Sequence, residues 1–193
     1  MLIIGPLMIE HRLIERMINV LKIEVEKIEK TNEINPFFVD LAVDFIKFYA
    51  DQTHHGKEEG ILFRDLKKKK LSNEHLKVMN ELIEEHKFGR KITRELVESK
   101  EKYIKGDSNA LKIISEKINT LINFYPKHIE KEDKRFFIPI MNYFTEEEKN
   151  VMLIESQVFD RRMIHRKYEN LVNIYEMERN VKSKSDVNWI ERM

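Results

Sequence analysis

The sequence predicts an all-α protein, an up-down-up-down antiparallel four-helix bundle with an additional C-terminal fifth helix. Three observations carry this expectation. Over 193 residues there are only five glycines and four prolines, and no stretch alternates apolar and polar residues as a half-buried strand does. Apolar residues recur instead at three- and four-residue spacing within long runs rich in Glu, Lys, Leu and Ile, the period of an amphipathic helix. Finally, His11, His54, His86, His128 and His165 follow one another at nearly even intervals, and the midpoint of each interval falls in a loop-like stretch, near Thr31–Asn32, Lys70, Asp107 and Glu146. Residues equidistant from a turn stand at one height in an antiparallel helix pair, because the chain rises about 1.5 Å per residue out and back. The spacing therefore stacks the imidazoles in one layer.

The elements follow in order. A first helix is expected from about Leu7 to Lys30, its apolar stripe being Leu7, Met8, His11, Ile14, Ile18, Leu21 and Val25. Asn35 is placed to cap a second helix with Pro36 at its first position, running to about Leu66 with Leu41, Phe45, Phe48 and Tyr49 inward. After a connection over Lys67–Asn73, a third helix carries Met79, Leu82, Ile83, His86, Leu96 and Val97 and is stopped by Gly106. Asp107 or Ser108 caps the fourth, which carries Leu111, Ile114, Ile118, Leu121, Ile122 and Tyr125, bends at Pro126, resumes through His128 to Phe137 and ends at Pro139. Thr145 and Glu148 form a capping box for the fifth, striped by Val151, Ile154, Val158, His165, Tyr168, Val172 and Tyr175. Residues 1–178 read as one domain, with a four-helix core over about 7–144, an extra helix over about 145–178, and a polar tail over 179–193 that holds the single tryptophan, Trp189.

Composition narrows the function. Hydrophobic residues make up 41%, enough for a sizeable core, and the charged 36% nearly cancel to a net +1. That balance argues against nucleic acid as a partner, since the one dense basic run, Lys67–Lys70, reads as a solvated turn. Without cysteine there are no disulfides, thiolate metal sites or cysteine nucleophiles. The apolar start, Met1 to Pro6, is too short for a leader or a membrane span, so a soluble cytoplasmic protein is expected.

One unit of sequence occurs twice. The second helix reads His54-His55-Gly56-Lys57-Glu58-Glu59 before Ile61-Leu62-Phe63, and the fourth reads His128-Ile129-Glu130-Lys131-Glu132-Asp133 before Phe136-Phe137. Each places a carboxylate four residues after a histidine, one helical turn along the same face, within reach of a shared cation. Imidazoles and carboxylates without thiolate suit iron, manganese or zinc, and carboxylates able to bridge favour two metals. Neutral imidazole is the ligand, so metal affinity is expected to fall below about pH 6.5.

On these residues the chain resembles the hemerythrin-like, or HHE cation-binding, proteins, over about residues 5–144. The resemblance implies a non-haem di-iron centre with His11, His54, Glu58, His86, His128 and Glu132 as ligands. It also implies a second histidine one turn from His86, but Leu82 and Arg90 stand at those positions, so one metal would lack an imidazole unless His165 supplies it. The stripe of the second helix points closer to His55 and Glu59 than to His54 and Glu58, and Asp133 competes in the same way with Glu132; both registers stay open. Glu10, Glu15, Asp51 and Glu85 are candidate acceptors for the outer ring nitrogens, and His75 lies too far along the third helix to join the layer.

The function expected first is binding or sensing of a small diatomic gas, dioxygen or nitric oxide, beside Ile14, Ile61, Leu62, Phe136 and Phe137. The alternatives are a redox enzyme or iron-donating repair protein using the same centre for peroxide or nitric oxide chemistry, and an interaction module with a structural metal. No catalytic residue is assigned. An electron donor, a protein partner and a homodimer are left open.

Overall fold

The computed structural model describes residues 2–178, and the expected polar tail with Trp189 lies outside the described residues. Five helical rods follow one another, with no strand among the described residues. The first is α1 (Ile4–Thr31). The second is composite: α2 (Pro36–Asp44), wide π-helical segments at Phe45–His55 and Glu58–Leu62, and α3 (Phe63–Leu66). The third is α4 (Asn73–Ile104). The fourth comprises α5 (Ala110–Lys131), a π turn at Glu132–Phe136 and α6 (Phe137–Ile140), with a 3-10 turn at Met141–Tyr143 behind it. The fifth is α7 (Glu146–Glu178). In the bundle α5 packs on both α1 and α4, α4 packs on the second rod, and α7 lies against the second rod's wide segments.

Local chemistry accounts for most of the boundaries. The Asn35 side chain accepts from the Phe37 amide at 3.0 Å, and Pro36 follows at the first helical position. Gly106, at φ 87°, closes α4 while the Asp107 amide reaches back to the Lys102 carbonyl, a turn that a Cβ would strain. Thr145 and Glu148 make the reciprocal capping box, at 2.9 and 3.2 Å.

Several expectations shift. Helix α1 starts at Ile4, not Leu7. Helix α5 begins at Ala110 with no side-chain cap, and Asp107 serves the Asn109 amide in the turn before it. Pro126 does not interrupt α5, and the irregularity comes six residues later as the π turn. Leu41 is exposed, and Val39, Ala42, Val43, Ile46 and Ala50 line the core in its place. Part of the stripe assigned to the fifth helix turns outward as well: Val151, Ile154 and Val172 are exposed, and Met152, Ser156 and Met163 are buried in their place, with Phe159 half-buried. Met152 and Phe159 join the cluster that holds Ile61, Leu62 and Phe63, so the face that docks is the one that meets the second rod. The Tyr168 and Tyr175 side chains lie outside the described residues.

The core comes in two parts. One cluster runs from Ile14 to Ile28 on α1 and takes in Ala50, Ile92, Tyr125 and Ile129. The other holds Leu7, Ile61, Leu62, Phe63, Leu82, Phe136 and Phe137. Between Leu7 and Ile14, Ala50 and Ile61, Leu82 and Ile92, and Ile129 and Phe136 lies a single polar layer, the level at which the four bundle rods carry their histidines.

Candidate metal centre

The polar layer is built on a spacing of four. Along the second rod Ala42, Ile46, Ala50, His54, Glu58, Leu62 and Leu66 are all buried, and along the fourth His128, Glu132, Phe136 and Ile140 are. In a regular α-helix each four-residue step overshoots a full turn by about 40°, so six steps would carry the stripe about 240° around the rod. The π segments hold the extra residues and keep the stripe facing inward. They also bring neighbours to one side: His54 and His55 are both buried.

Two donor groups result. His11, His54, Glu58 and Glu132 have ligand atoms within 4.8 Å of one another, and so do His55, His86 and His128. The two carboxylates join the groups. Glu58 has Oε1 3.3 Å from His54 Nε2 and Oε2 3.3 Å from His86 Nε2. Glu132 has Oε2 3.2 Å from His11 Nε2 and Oε1 3.4 Å from His128 Nε2.

The outward ring nitrogens are all engaged. Nδ1 of His11 pairs with Asp133 at 2.7 Å, that of His54 with Glu10 at 2.8 Å, that of His86 with Glu59 at 2.7 Å, and that of His128 with Glu85 at 2.8 Å. His55 makes a longer contact to Asp51, 3.4 Å. A carboxylate accepts, so each Nδ1 carries a proton and each Nε2 faces inward, where a metal would take the place of any second proton. Basic residues hold these carboxylates in turn: Arg12 on Asp133, Lys57 on Glu10, Arg90 on Asp51 and Glu59, and Lys131 on Glu85.

Inside, nothing in the protein satisfies the donors. The Nε2 atoms of His11, His54, His86 and His128 and both oxygens of Glu58 and of Glu132 are buried without a hydrogen-bond partner. Orphaning eight such atoms in one layer would be costly unless something binds them, and convergent imidazole and carboxylate atoms fit metal cations. The charges fit as well. Burial and the Glu58 charge push Glu132 up, but His128, His11 and His86 outweigh them and hold it at about 2. Burial likewise raises Glu58, and His54 and His86 overcome it, leaving Glu58 well below the carboxylate range. His55 is pushed well below the ordinary imidazole value by burial and by His86, so it is neutral and ready to ligate. A cavity of about 200 Å³ adjoins His55 and His86, with Asp51, Gln52, Arg90 and Tyr125 in its walls.

Each sequence candidate now has a place. His11, His54, His86, His128, Glu58 and Glu132 converge, whereas Glu59 and Asp133 turn outward to serve His86 and His11. The imidazole missing from α4 is not missing from the layer, because His55 stands with His86 and His128, ring centroids 3.8 Å from His86. The sustained spacing of four was the sequence signal for this arrangement. His165 belongs to neither group, and Glu15 pairs with Arg12 instead of a ring nitrogen. His75 is tied to Tyr143 at 2.8 Å. Ile14, Ile61, Leu62, Phe136 and Phe137 are buried, with Phe137 stacked on His11. Lys68 and Lys69 of the basic run are paired with Asp65 and Glu148. No helix among the described residues is long and apolar enough to cross a membrane.

Comparison with curated proteins and comparison with solved structures both return no match. The family model of the hemerythrin HHE cation-binding domain matches residues 2–138, the span that supplies every donor of the layer and stops short of α7. The chain therefore belongs to the hemerythrin HHE cation-binding domain family.

Proposed function

We propose that this chain is a non-haem di-iron protein that binds or senses a small diatomic gas, dioxygen or nitric oxide, in the centre of the bundle. The observation that supports this most is the asymmetry of the donors: three imidazoles in one group and two in the other, with Glu58 and Glu132 facing both. An ion held by His11 and His54 has one protein ligand fewer than its neighbour and so has room for an exogenous one. Bound iron supplies reversible coordination of the gas.

The rest is the work of the chain's own residues. The outer carboxylates fix the tautomer and direction of these imidazoles. Leu7, Ile61, Leu62, Phe63, Phe136 and Phe137 form a dry wall on one side of the layer, admitting an uncharged diatomic while excluding water.

The test is anaerobic reconstitution with ferrous iron, metal analysis, and exposure to each gas. Two irons per chain and a visible spectrum that appears with gas and is reversed by its removal are expected. Sustained consumption of peroxide or nitric oxide would replace this reading with the redox enzyme, and a chain that accepts zinc but rejects iron would end both.

A further inference from the structure

The fifth rod lies outside the family match, yet it touches the centre's supports at their tightest point. Gly56 sits between His55 and Lys57, and a Cβ on it would come within 2.9 Å of Phe159 Cζ on α7. The Lys57 side chain is fully buried between two carboxylates, Glu10 of α1 and Asp160 of α7, the latter at 2.7 Å. The other oxygen of Glu10 holds Nδ1 of His54. An unbroken series of contacts thus runs from the fifth rod to an inward-facing imidazole: Asp160, Lys57, Glu10, His54. A buried ammonium held by two carboxylates is sensitive to losing either, because Lys57 itself is out of reach of water and depends on them for its compensation.

Resting on the metal-centre reading above, we propose that α7 acts as the readout element of the centre: docking of Phe159 and Asp160 sets the position of His54, so that cation occupancy of the His11–His54 group and docking of the middle of α7 reinforce each other. Reciprocity is required by linkage, since whatever factor docking adds to cation affinity, the cation adds to docking. Lys57 and Asp160 are positioning residues here, acting through Glu10. The arrangement gives an event at the iron a path to the outer face of the fifth rod, where Ile154 and Ile164 are exposed.

The full chain tests this with Co²⁺ as the probe. Chelator competition gives the affinity of each ion, and hydrogen exchange reports on residues 156–163 with and without cobalt. In the wild type, cobalt is expected to slow exchange over 156–163. Asp160→Asn and Phe159→Ala should each weaken one of two ions about tenfold and abolish that protection. Glu155→Gln, which removes a charge from the same helix where it pairs with Arg64 at the surface, should change affinity less than about twofold. Wild-type cobalt affinities in both centre-side variants, or exchange over 156–163 that ignores cobalt in the wild type, would overturn the proposal while leaving the metal centre intact. A wild type that binds no ion would show instead that the metal reading itself had failed. Should a variant prove insoluble, the exchange comparison on the wild type decides alone.

Discussion

Lowering the pH from 8 to 6 should weaken cation binding in each half of the centre by about a hundredfold. In the metal-free fold burial depresses His11, but Asp133, Glu132 and Glu58 outweigh it and raise its pKa to about 10. His86 is depressed by burial too, and Glu132, Glu58 and Glu59 carry it up to about 11. Both rings therefore hold a second proton throughout this range, and with Nδ1 committed to Asp133 and Glu59 the cation must displace it from Nε2. One displaced proton makes affinity change tenfold, about 1.4 kcal/mol, per pH unit. His11 belongs to one group and His86 to the other, so each half loses about 2.7 kcal/mol over two units. His54 is raised as well, against burial, by Glu58 and Glu10. A free imidazole would place the loss only below about pH 6.5; the surrounding carboxylates move it upward. In the metal-free protein the sign for stability is the opposite. A pKa raised on folding stabilises fully below about 6.5, and that contribution is lost as pH rises through 10 and 11. Zinc titrations against a chelator at pH 6, 7 and 8, with proton release measured by calorimetry in two buffers, provide the assay. Affinity that stays flat across this window, or falls only below 6.5, would refute the reasoning.

Three further outcomes are expected. His55→Ala should reduce a two-ion chain to about one ion by metal analysis, emptying the His86 and His128 side, while His75→Ala and His165→Ala retain both. Glu59→Gln removes the carboxylate behind His86 and the partner of Arg90, and should cost about 10- to 100-fold in cation affinity without unfolding the chain, as chelator competition and circular dichroism would show. Leu21→Ala, fully buried in the cluster remote from Phe137, should lower unfolding free energy in urea by about 2–5 kcal/mol while metal stoichiometry is unchanged.

The fold was legible wherever one period ruled. The α1 stripe, the Asn35 and Thr145 caps and the Gly106 stop all follow from single-helix rules, and the even spacing of histidines placed the layer. Reading broke down where the period changed. On the second rod a 3.6-residue wheel drawn from Leu41 points at His55 and Glu59, and the motif points at His54 and Glu58. The π segments reconcile the two by turning both histidines inward and leaving Glu59 outside. The same device on the fourth rod separates Glu132 from Asp133. The buried face of α7 was misassigned for another reason: the helix has apolar residues on more than one face, and the choice between them is made by contact with the second rod, remote from any local rule.

A bundle whose oily interior is severed at the waist by acids and imidazoles stands to gain stability when that waist is filled. The lobes above and below it share rods but not a continuous apolar contact, so a cation bound in the layer would act as the rivet between them. Free cation at a thousand times its dissociation constant adds about 4 kcal/mol to a fold that alone binds it. On the proposed reading, metal supply would then help to set how long the chain stays folded.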